Sequence, residues 1–225
     1  VFAFADGPKP GCSKDDYAAV MKVREILKDV SWSRFFKKME VVASVENLGC
    51  FKNTIGGVKY VLERFGRCIM LEDDEITSRI FLRYMNESLE MYKNDKDVMF
   101  IGASMLPVKK KLPELFFLRM PPNLCSFGTW ADRWEYFYQD AHENMKKIFE
   151  KGYEKYILCY KKPNLSKIGT SDLNYHWDIK AKISSLANDK FTLLPGRSLI
   201  RNIGFIKSHT NTPHYYYWFY NNKTI

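Results

Sequence analysis

Short apolar runs alternate with amphipathic segments over the first hundred residues, and this alternation constrains the fold more than any other feature of the sequence. Alternation of this kind is typical of strands joined by helical crossovers, because consecutive parallel strands need a long connection. It predicts an α/β fold with a mostly parallel sheet flanked by helices. The four apolar runs predicted as strands are residues 1–5, 41–45, 68–71 and 98–101.

Helix boundaries are marked by capping residues. Ser13, with Asp16 three residues later, predicts the start of a first helix. Asn53 predicts the cap of a second helix, which Gly66 ends. A third helix is expected from Thr77 or Ser78. Farther along, the pattern is less regular and predicts a loop at 109–113, helices at 132–151 and 172–188, and a short strand at 191–194.

Acidic residues follow three of the predicted strands. Asp6 ends the first strand, Glu46 follows the second, and the triplet Glu72-Asp73-Asp74 follows the third. In open parallel sheets, ligands bind outside the carboxyl ends of the strands. The sequence therefore predicts a ligand site where these carboxylates meet at one edge of the sheet.

Length and composition narrow the class of protein. A chain of 225 residues has the size of one domain, and no apolar run approaches the roughly 20 residues of a membrane-spanning helix. These features predict a soluble or peripheral protein. Five cysteines, an odd number without CxxC spacing, argue against a disulfide framework or a zinc site and favour a reducing cytoplasm. The net charge of +9 favours anionic partners, although solvated surface lysines also explain it.

The acidic triplet is the strongest candidate for chemistry. Adjacent carboxylates repel one another by about 1 kcal/mol in water at roughly 4 Å, and a cation removes that cost. Oxygen ligands suit Mg²⁺ or Mn²⁺, which commonly complete their coordination with phosphate oxygens. The alternative is a solvated acidic turn at the start of the next helix, where the helix dipole favours negative charge.

Motifs in order along nearly the whole chain resemble the bacterial GT-A fold glycosyltransferases of surface-polysaccharide synthesis, which are distantly similar to the N-acetylglucosaminyltransferase I type. The motifs that carry this resemblance are Phe4-Ala5-Asp6-Gly7-Pro8-Lys9, Asn47-Leu48-Gly49 with Asn53 and Gly57-Val58, Phe65-Gly66-Arg67, Leu71-Glu72-Asp73-Asp74, Phe81-Leu82 with Tyr84-Met85-Asn86, Ser126-Phe127-Gly128-Thr129-Trp130 with Arg133-Trp134, Trp177-Asp178-Ile179, and Arg201-Asn202-Ile203-Gly204-Phe205 with His209-Thr210. The resemblance implies a nucleotide-diphospho-sugar transferase fold. It also implies a further strand and helix, and the sequence is expected to start after them.

Site roles follow from the resemblance. It implies that Asp6 meets the nucleoside base, that Asp73 lies near the ribose and that Asp74 coordinates the metal. It makes His209 a further metal ligand, although a lone histidine is more often a structural group. The other residues expected around the sugar nucleotide are Gly7, Gly49, Asn53, Glu72 and Trp130.

Several of these residues have ordinary structural explanations as well. An Asp before Gly-Pro readily forms a turn, so Asp6 is open to both interpretations. Gly49 and a helix cap at Asn53 would present N–H groups to a diphosphate, or would simply form a loop entering a helix. Trp130, in a segment read as a loop, would stack on a sugar ring, although most aromatics in such a cluster belong to a core.

Asp178 is the candidate general base. A sugar hydroxyl needs a base in order to attack, and Asp is a poor helix former that here follows Trp177 within a predicted helix. The alternative is a surface carboxylate paired with Lys180 or Lys182.

Together these features predict a hexosyl- or N-acetylhexosaminyltransferase dependent on Mn²⁺ (or Mg²⁺). It would move a sugar, with inversion, from a nucleoside diphosphate, expected to be UDP, to a saccharide or glycolipid acceptor. We expect one domain over residues 1–225, with a nucleotide-sugar half to about 105 and an acceptor half from 106, in the cytoplasm or peripheral to the membrane. No nucleic-acid partner is expected. The rivals are a nucleotidyltransferase of related fold, although no glycine-rich loop follows the first strand, and a non-catalytic module that binds an anionic polymer.

Overall fold

A computed structural model describes residues 1–106, 108–109, 111–121, 124–158 and 176–204. The chain divides into two compact units, Val1–Arg64 and Phe65–Ile225. The boundary predicted near residue 105 falls inside the second unit. The α/β class is confirmed, since strands and helices alternate in both units.

The first unit is built on two parallel strands. Its elements are β1 (Phe2–Ala5), α1 (Lys14–Leu27), a 3₁₀ turn (Val30–Arg34), β2 (Glu40–Ala43) and α2 (Gly49–Phe65), whose last residue lies in the second unit. Strand β1 pairs with β2 in register from Phe2 opposite Glu40 to Ala5 opposite Ala43. Gly57 of α2 lets the helix approach β1, because a Cβ there would lie 2.9 Å from the Phe4 ring.

Two of the three predicted helix signals up to Gly66 are confirmed. The Ser13 hydroxyl accepts a hydrogen bond from the Asp16 N–H at 3.0 Å, as a cap does. Gly66 adopts φ +71° directly after α2, a conformation that favours glycine. The predicted cap at Asn53 is wrong, because α2 begins four residues earlier at Gly49.

The second unit contains a five-stranded sheet and a separate two-stranded sheet. Its elements are β3 (Arg67–Met70), β4 (Glu75–Thr77), α3 (Phe81–Met91), β5 (Val98–Gly102), β6 (Leu115–Leu118), β7 (Phe127–Trp130), α4 (Ala131–Trp134), a 3₁₀ turn (Glu135–Tyr138), α5 (Ala141–Glu150), α6 (Glu154–Leu158), α7 (Trp177–Ala187), β8 (Phe191–Pro195) and β9 (Ile200–Asn202).

The expectation of a mostly parallel sheet is wrong. The strand order is β3-β7-β5-β8-β6, and only the β5–β8 pair is parallel. Strand β7 lies between β3 and β5 and is antiparallel to both. Strands β1 and β2 pair only with each other. The three acidic strand ends therefore do not belong to one sheet.

Two predicted helices are also revised. The helix expected to start at Thr77 or Ser78 begins at Phe81, because residues 75–77 form β4 instead. The long helix expected at 132–151 is divided, and Asp140 caps its second part, α5, by accepting hydrogen bonds from the N–H groups of His142 and Glu143. The strand predicted at 191–194 is confirmed as β8.

The core of the second unit lies between the large sheet and α3. Met85 and Leu89 of α3, each at most 2% exposed, pack with Ile101 of β5 and Leu193 of β8. Arg133 holds the connection between α3 and β5, because its guanidinium donates hydrogen bonds to the backbone carbonyls of residues 92, 93 and 95. Arg133 thus ties the segment before β5 to the helix that follows β7.

Candidate functional site

An acidic turn, Glu72–Asp73–Asp74–Glu75, joins β3 to β4. Strand β3 ends at Met70, and β4 begins at Glu75, so the first three carboxylates lie in the short connection and the fourth begins β4. Strand β4 pairs antiparallel with β9, with Glu75 opposite Asn202. The turn is therefore fixed at both ends by strands that lie far away in the sequence.

The pairing of β3 with β7 brings a thiol and a hydroxyl to the acidic turn. Met70 pairs with Phe127 in this antiparallel ladder, so Cys125, two residues before Phe127, runs alongside Glu72, two residues after Met70. The ligating atoms of Glu72, Glu75 and Cys125 all lie within 4.8 Å of one another. Ser126, next in sequence, donates a hydrogen bond from its hydroxyl to the Glu75 carboxylate.

Burial and mutual repulsion disfavour the ionised carboxylates of this turn. The pKa of Glu72 is raised to about 8, chiefly by burial and then by the charges of Glu75, Asp74 and Asp178, while a hydrogen bond with Cys125 acts in the opposite direction. The pKa of Glu75 is raised to about 7, chiefly by burial, against the hydrogen bond from Ser126. Glu75 Oε1 is buried and has no hydrogen-bond partner among the described residues.

Asp74 is held by the segment that follows β9. Asn202 donates from Nδ2 to Asp74 Oδ1 at 3.0 Å, and the Ile203 N–H donates to the Asp74 carbonyl at 2.7 Å. At Gly204 a Cβ would lie 2.1 Å from Asp74 Oδ2, so only glycine leaves room for this carboxylate. Asp73, between these oriented neighbours, is exposed.

Asp178 reaches the same neighbourhood from α7. It lies in the first turn of the helix, is close enough to raise the pKa of Glu72, and has a half-buried side chain. Lys182, one turn later and 5% exposed in its side chain, pairs with it at 3.1 Å. Both interpretations of Asp178 thus find support, since it pairs with a lysine and also contributes to the acidic cluster.

The residues around the turn fit a divalent cation. Two half-buried carboxylates and a thiol offer ligand atoms within 4.8 Å of one another, and one oxygen of Glu75 is buried with no hydrogen-bond donor among the described residues. A cation there would stabilise the ionised carboxylates, which burial above all, and repulsion between them in addition, disfavour. Among the predicted residues, Glu72 belongs to this cluster, and Asp74 and Asp178 lie near enough for their charges to raise its pKa.

Sequence reasoning missed Glu75 and Cys125. Glu75 carried a usable signal, since it extends the acidic triplet to four consecutive carboxylates. Cys125 carried none, because its place depends on the register of two strands about sixty residues apart.

The proposed ligand-facing role of Trp130 is corrected. The residue ends strand β7 instead of lying in a loop, and only 5% of it is exposed. Its ring packs in the core cluster, and the Arg133 guanidinium lies over it at 4.1 Å from the ring centroid. Trp130 is therefore a core residue.

Asp6 and its partners form a structural turn in the first unit. One carboxylate oxygen of Asp6 accepts from the N–H groups of Gly7 (2.8 Å) and Leu48 (2.7 Å), and the other accepts from the Gly49 N–H (2.9 Å) and Asn47 Nδ2 (3.1 Å). These four donors match the acceptor capacity of a carboxylate. The structure thus gives Asp6 a structural role in place of the expected contact with a base.

The neighbouring predicted residues also make internal contacts. A Cβ at Gly7 would lie 2.4 Å from the Glu46 carbonyl, so glycine permits the close approach of two loops. Because the Gly49 N–H is directed at Asp6, it is not available to a diphosphate. Asn53 donates from within α2 to the Phe4 carbonyl at 3.4 Å. His209 lies outside the described residues.

We expect Asp6→Asn to destabilise the turn between Gly7 and Gly49. An amide replaces one acceptor oxygen by an N–H₂ donor, which then faces the N–H of Gly49, and a lost hydrogen bond to a charged group costs roughly 2 kcal/mol. Amide hydrogen exchange at Leu48 and Gly49 measures the effect and should accelerate. Glu46→Gln, an equal charge change at an exposed neighbour, is the control. Equal exchange rates in both variants would contradict the structural role of Asp6.

The raised pKa values of Glu72 and Glu75 predict a pH-dependent stability that metal reverses. Because both pKa values in the folded protein exceed the ordinary value of 4.5, the stabilisation is present below about pH 4.5 and is lost as pH rises through about 7 to 8. Without metal, Tm should fall across this range, by roughly 2–4 °C for each kcal/mol lost in a chain of this size. Added Mn²⁺ should restore it most at the alkaline end.

Calorimetric scans of two variants test the origin of this pH dependence. Glu72→Gln, which keeps the shape of a neutral carboxyl group, should flatten the fall in Tm. Glu90→Gln is the matched control, because Glu90 is exposed and hydrogen bonds from Lys93 and Arg67 lower its pKa. A profile unchanged by Glu72→Gln would show that the fall arises elsewhere.

Comparison with known proteins yields no relative: the chain matches no protein-family model, and no curated protein matches it significantly. Within the described residues, no helix is both long enough and apolar enough to cross a membrane.

Proposed function

We propose that the protein is a metal-dependent glycosyltransferase that moves a sugar from a nucleoside diphosphate, with UDP the expected nucleotide, to a saccharide or glycolipid acceptor. The observation that carries the proposal is the acidic turn after β3, where Glu72, Asp74 and Glu75 converge with Asp178 from another element. The ordered motifs that resemble GT-A glycosyltransferases support the same activity.

Asp74 is the expected ligand that joins the cation to the donor. Its carboxylate is oriented by Asn202, and the absence of a side chain at Gly204 lets Oδ2 lie close to the backbone that follows β9. Bound there, Mn²⁺ or Mg²⁺ would supply positive charge to a diphosphate leaving group. Glu72 and Glu75 place further negative charge at the same turn, which favours a divalent cation over a monovalent one.

Asp178 is the expected base on the acceptor side. Its carboxylate would take the proton of the acceptor hydroxyl as the hydroxyl oxygen attacks the anomeric carbon and the bond to the diphosphate breaks. A single displacement of this kind inverts the anomeric configuration. Asp178 lies on α7 and the acidic turn follows β3, so base and cation ligands come from different elements of one unit.

We place this activity in the cytoplasm, near or peripheral to a membrane where a glycolipid acceptor is available. The net charge of +9 favours contact with anionic surfaces and with the donor diphosphate. None of the four described cysteines, Cys12, Cys50, Cys68 and Cys125, forms a disulfide with another described residue.

A panel of sugar nucleotides tests the proposal. The full chain is incubated with each donor and Mn²⁺, with and without a chelator, and release of the nucleoside diphosphate is measured. Metal-dependent hydrolysis of one donor would support the activity and name the sugar. Release of pyrophosphate from a nucleoside triphosphate would favour a nucleotidyltransferase instead. Metal-independent binding of an anionic polymer with a steep salt dependence, together with no hydrolysis, would favour a non-catalytic module.

A further inference from the structure

The proposed reaction gives no role to Cys125, whose thiol lies beside the acidic turn. The register that places Met70 opposite Phe127 continues past the paired residues and sets Cys125 alongside Glu72. The two side chains are hydrogen bonded, and the sulfur lies within 4.8 Å of ligating oxygens of both Glu72 and Glu75. Serine would form the same hydrogen bond, so this contact alone does not require a thiol.

The cluster contains one soft metal donor, the Cys125 sulfur, and two hard donors, the carboxylates of Glu72 and Glu75. Carboxylate oxygens bind Mg²⁺ and Mn²⁺, whereas a thiolate favours Zn²⁺ and other transition metals and contributes little to Mg²⁺ binding. One oxygen of this set, Glu75 Oε1, is buried without a hydrogen-bond partner among the described residues. An inward-facing oxygen of this kind is suited to a ligand that the protein itself does not supply.

We propose that Cys125 is a ligand of the cation bound at the acidic turn, together with Glu72 and Glu75, and that it makes the site prefer transition metals to Mg²⁺. As the sulfur–metal bond forms, the thiol proton passes to solvent, and neither sulfur nor metal is oxidised or reduced. This inference rests on the proposed function only in taking this cation to be the one that serves the donor.

Co²⁺ is the probe for this ligand, because a cobalt–thiolate bond gives a charge-transfer absorption band in the near ultraviolet that oxygen ligands do not give. The full chain is titrated with Co²⁺, as are Cys125→Ser and Cys50→Ser. Serine keeps the size and hydrogen bond of Cys125, and Cys50 is an exposed cysteine in the first unit. We expect the band in the parent and in Cys50→Ser and its loss in Cys125→Ser.

Metal preference gives the second readout. Cys125→Ser should weaken Co²⁺ and Zn²⁺ by about 10-fold to 100-fold and leave Mg²⁺ nearly unchanged. A band that persists in Cys125→Ser, or no band in the parent, overturns the proposal. If UDP binding depends on Mn²⁺ while no band forms, the ligand role fails and the proposed function stands. A Cys125-dependent band without binding of any sugar nucleotide retains the ligand role and rejects the transferase.

Discussion

Asp178→Asn is expected to lower sugar transfer by about 100-fold to 10,000-fold while leaving UDP affinity nearly intact. Losing a positioned general base typically costs this much, because the acceptor hydroxyl is too weak an acid to ionise near neutral pH. Asn keeps the size of Asp and an oxygen that still accepts the hydrogen bond from Lys182. A fall in kcat without a change in donor affinity would isolate the proton transfer.

The ion pair with Lys182 offers another explanation of Asp178, namely that its carboxylate only neutralises a buried lysine, and the controls must separate the two roles. If Asp178 serves only to neutralise a lysine that is 5% exposed, Asp178→Asn should lower Tm and leave the rate per folded molecule close to that of the parent. Asp132→Asn is a matched control, since Asp132 also lies in the first turn of a helix and pairs with a lysine, Lys96. Transfer rates and melting curves of both variants, measured across the neutral pH range, decide between base and ion-pair partner.

Asp74→Asn is expected to remove metal-dependent donor binding, with a loss in affinity for Mn²⁺ and UDP of at least about 100-fold. Loss of a residue that only hydrogen bonds to a metal ligand commonly lowers metal affinity by about 10-fold to 100-fold. Loss of a ligand itself should lower the affinity by at least as much. The fold should survive, because the Asn oxygen still accepts from Asn202 Nδ2, and the contact with the Ile203 N–H uses the backbone carbonyl. Titration calorimetry of UDP with and without Mn²⁺ measures the effect.

Asp73→Asn is the informative comparison for Asp74. If Asp73 meets the ribose, its substitution weakens UDP binding equally with and without Mn²⁺, whereas Asp74→Asn removes only the metal-dependent part. Asp97→Asn, at an exposed residue paired with Lys190, controls for the loss of one negative charge. Binding of UDP and Mn²⁺ to a folded Asp74→Asn variant as tightly as to the parent would exclude Asp74 as a ligand.

Local features of the fold were predictable, and pairing between distant strands was not. The caps at Ser13 and Gly66 depend on a few neighbouring residues, and both were identified correctly. Strand β7 was read as a loop because Phe127–Trp130 is short and contains Gly and Thr, so neither its length nor its apolar pattern stands out. The sheet is mixed because β7 is antiparallel to β3 and β5, and β6 is antiparallel to β8, and that outcome depends on packing across the whole unit.

The candidate site shows the same division. The acidic triplet was visible as a run of charges after an apolar strand, and Glu72 and Asp74 both belong to the site. Cys125 joined it through strand register, which no local pattern records. Asp6 misled for the opposite reason: an aspartate at a strand end suggests a ligand contact, but the backbone donors of its own loop satisfy it. Local sequence identifies charged groups better than it identifies their partners.

Because β4 pairs with β9, the acidic turn can adopt its folded structure only after β9 has been synthesised. Asp74 and Asn202 are separated by 128 residues, so a chain emerging from the ribosome exposes its four carboxylates long before Asn202 and Gly204 exist to orient them. Until then the contacts that orient Asp74 cannot form. If the turn binds a cation as we propose, selective binding would appear only after β9 has paired with β4, and its appearance during refolding would time that pairing.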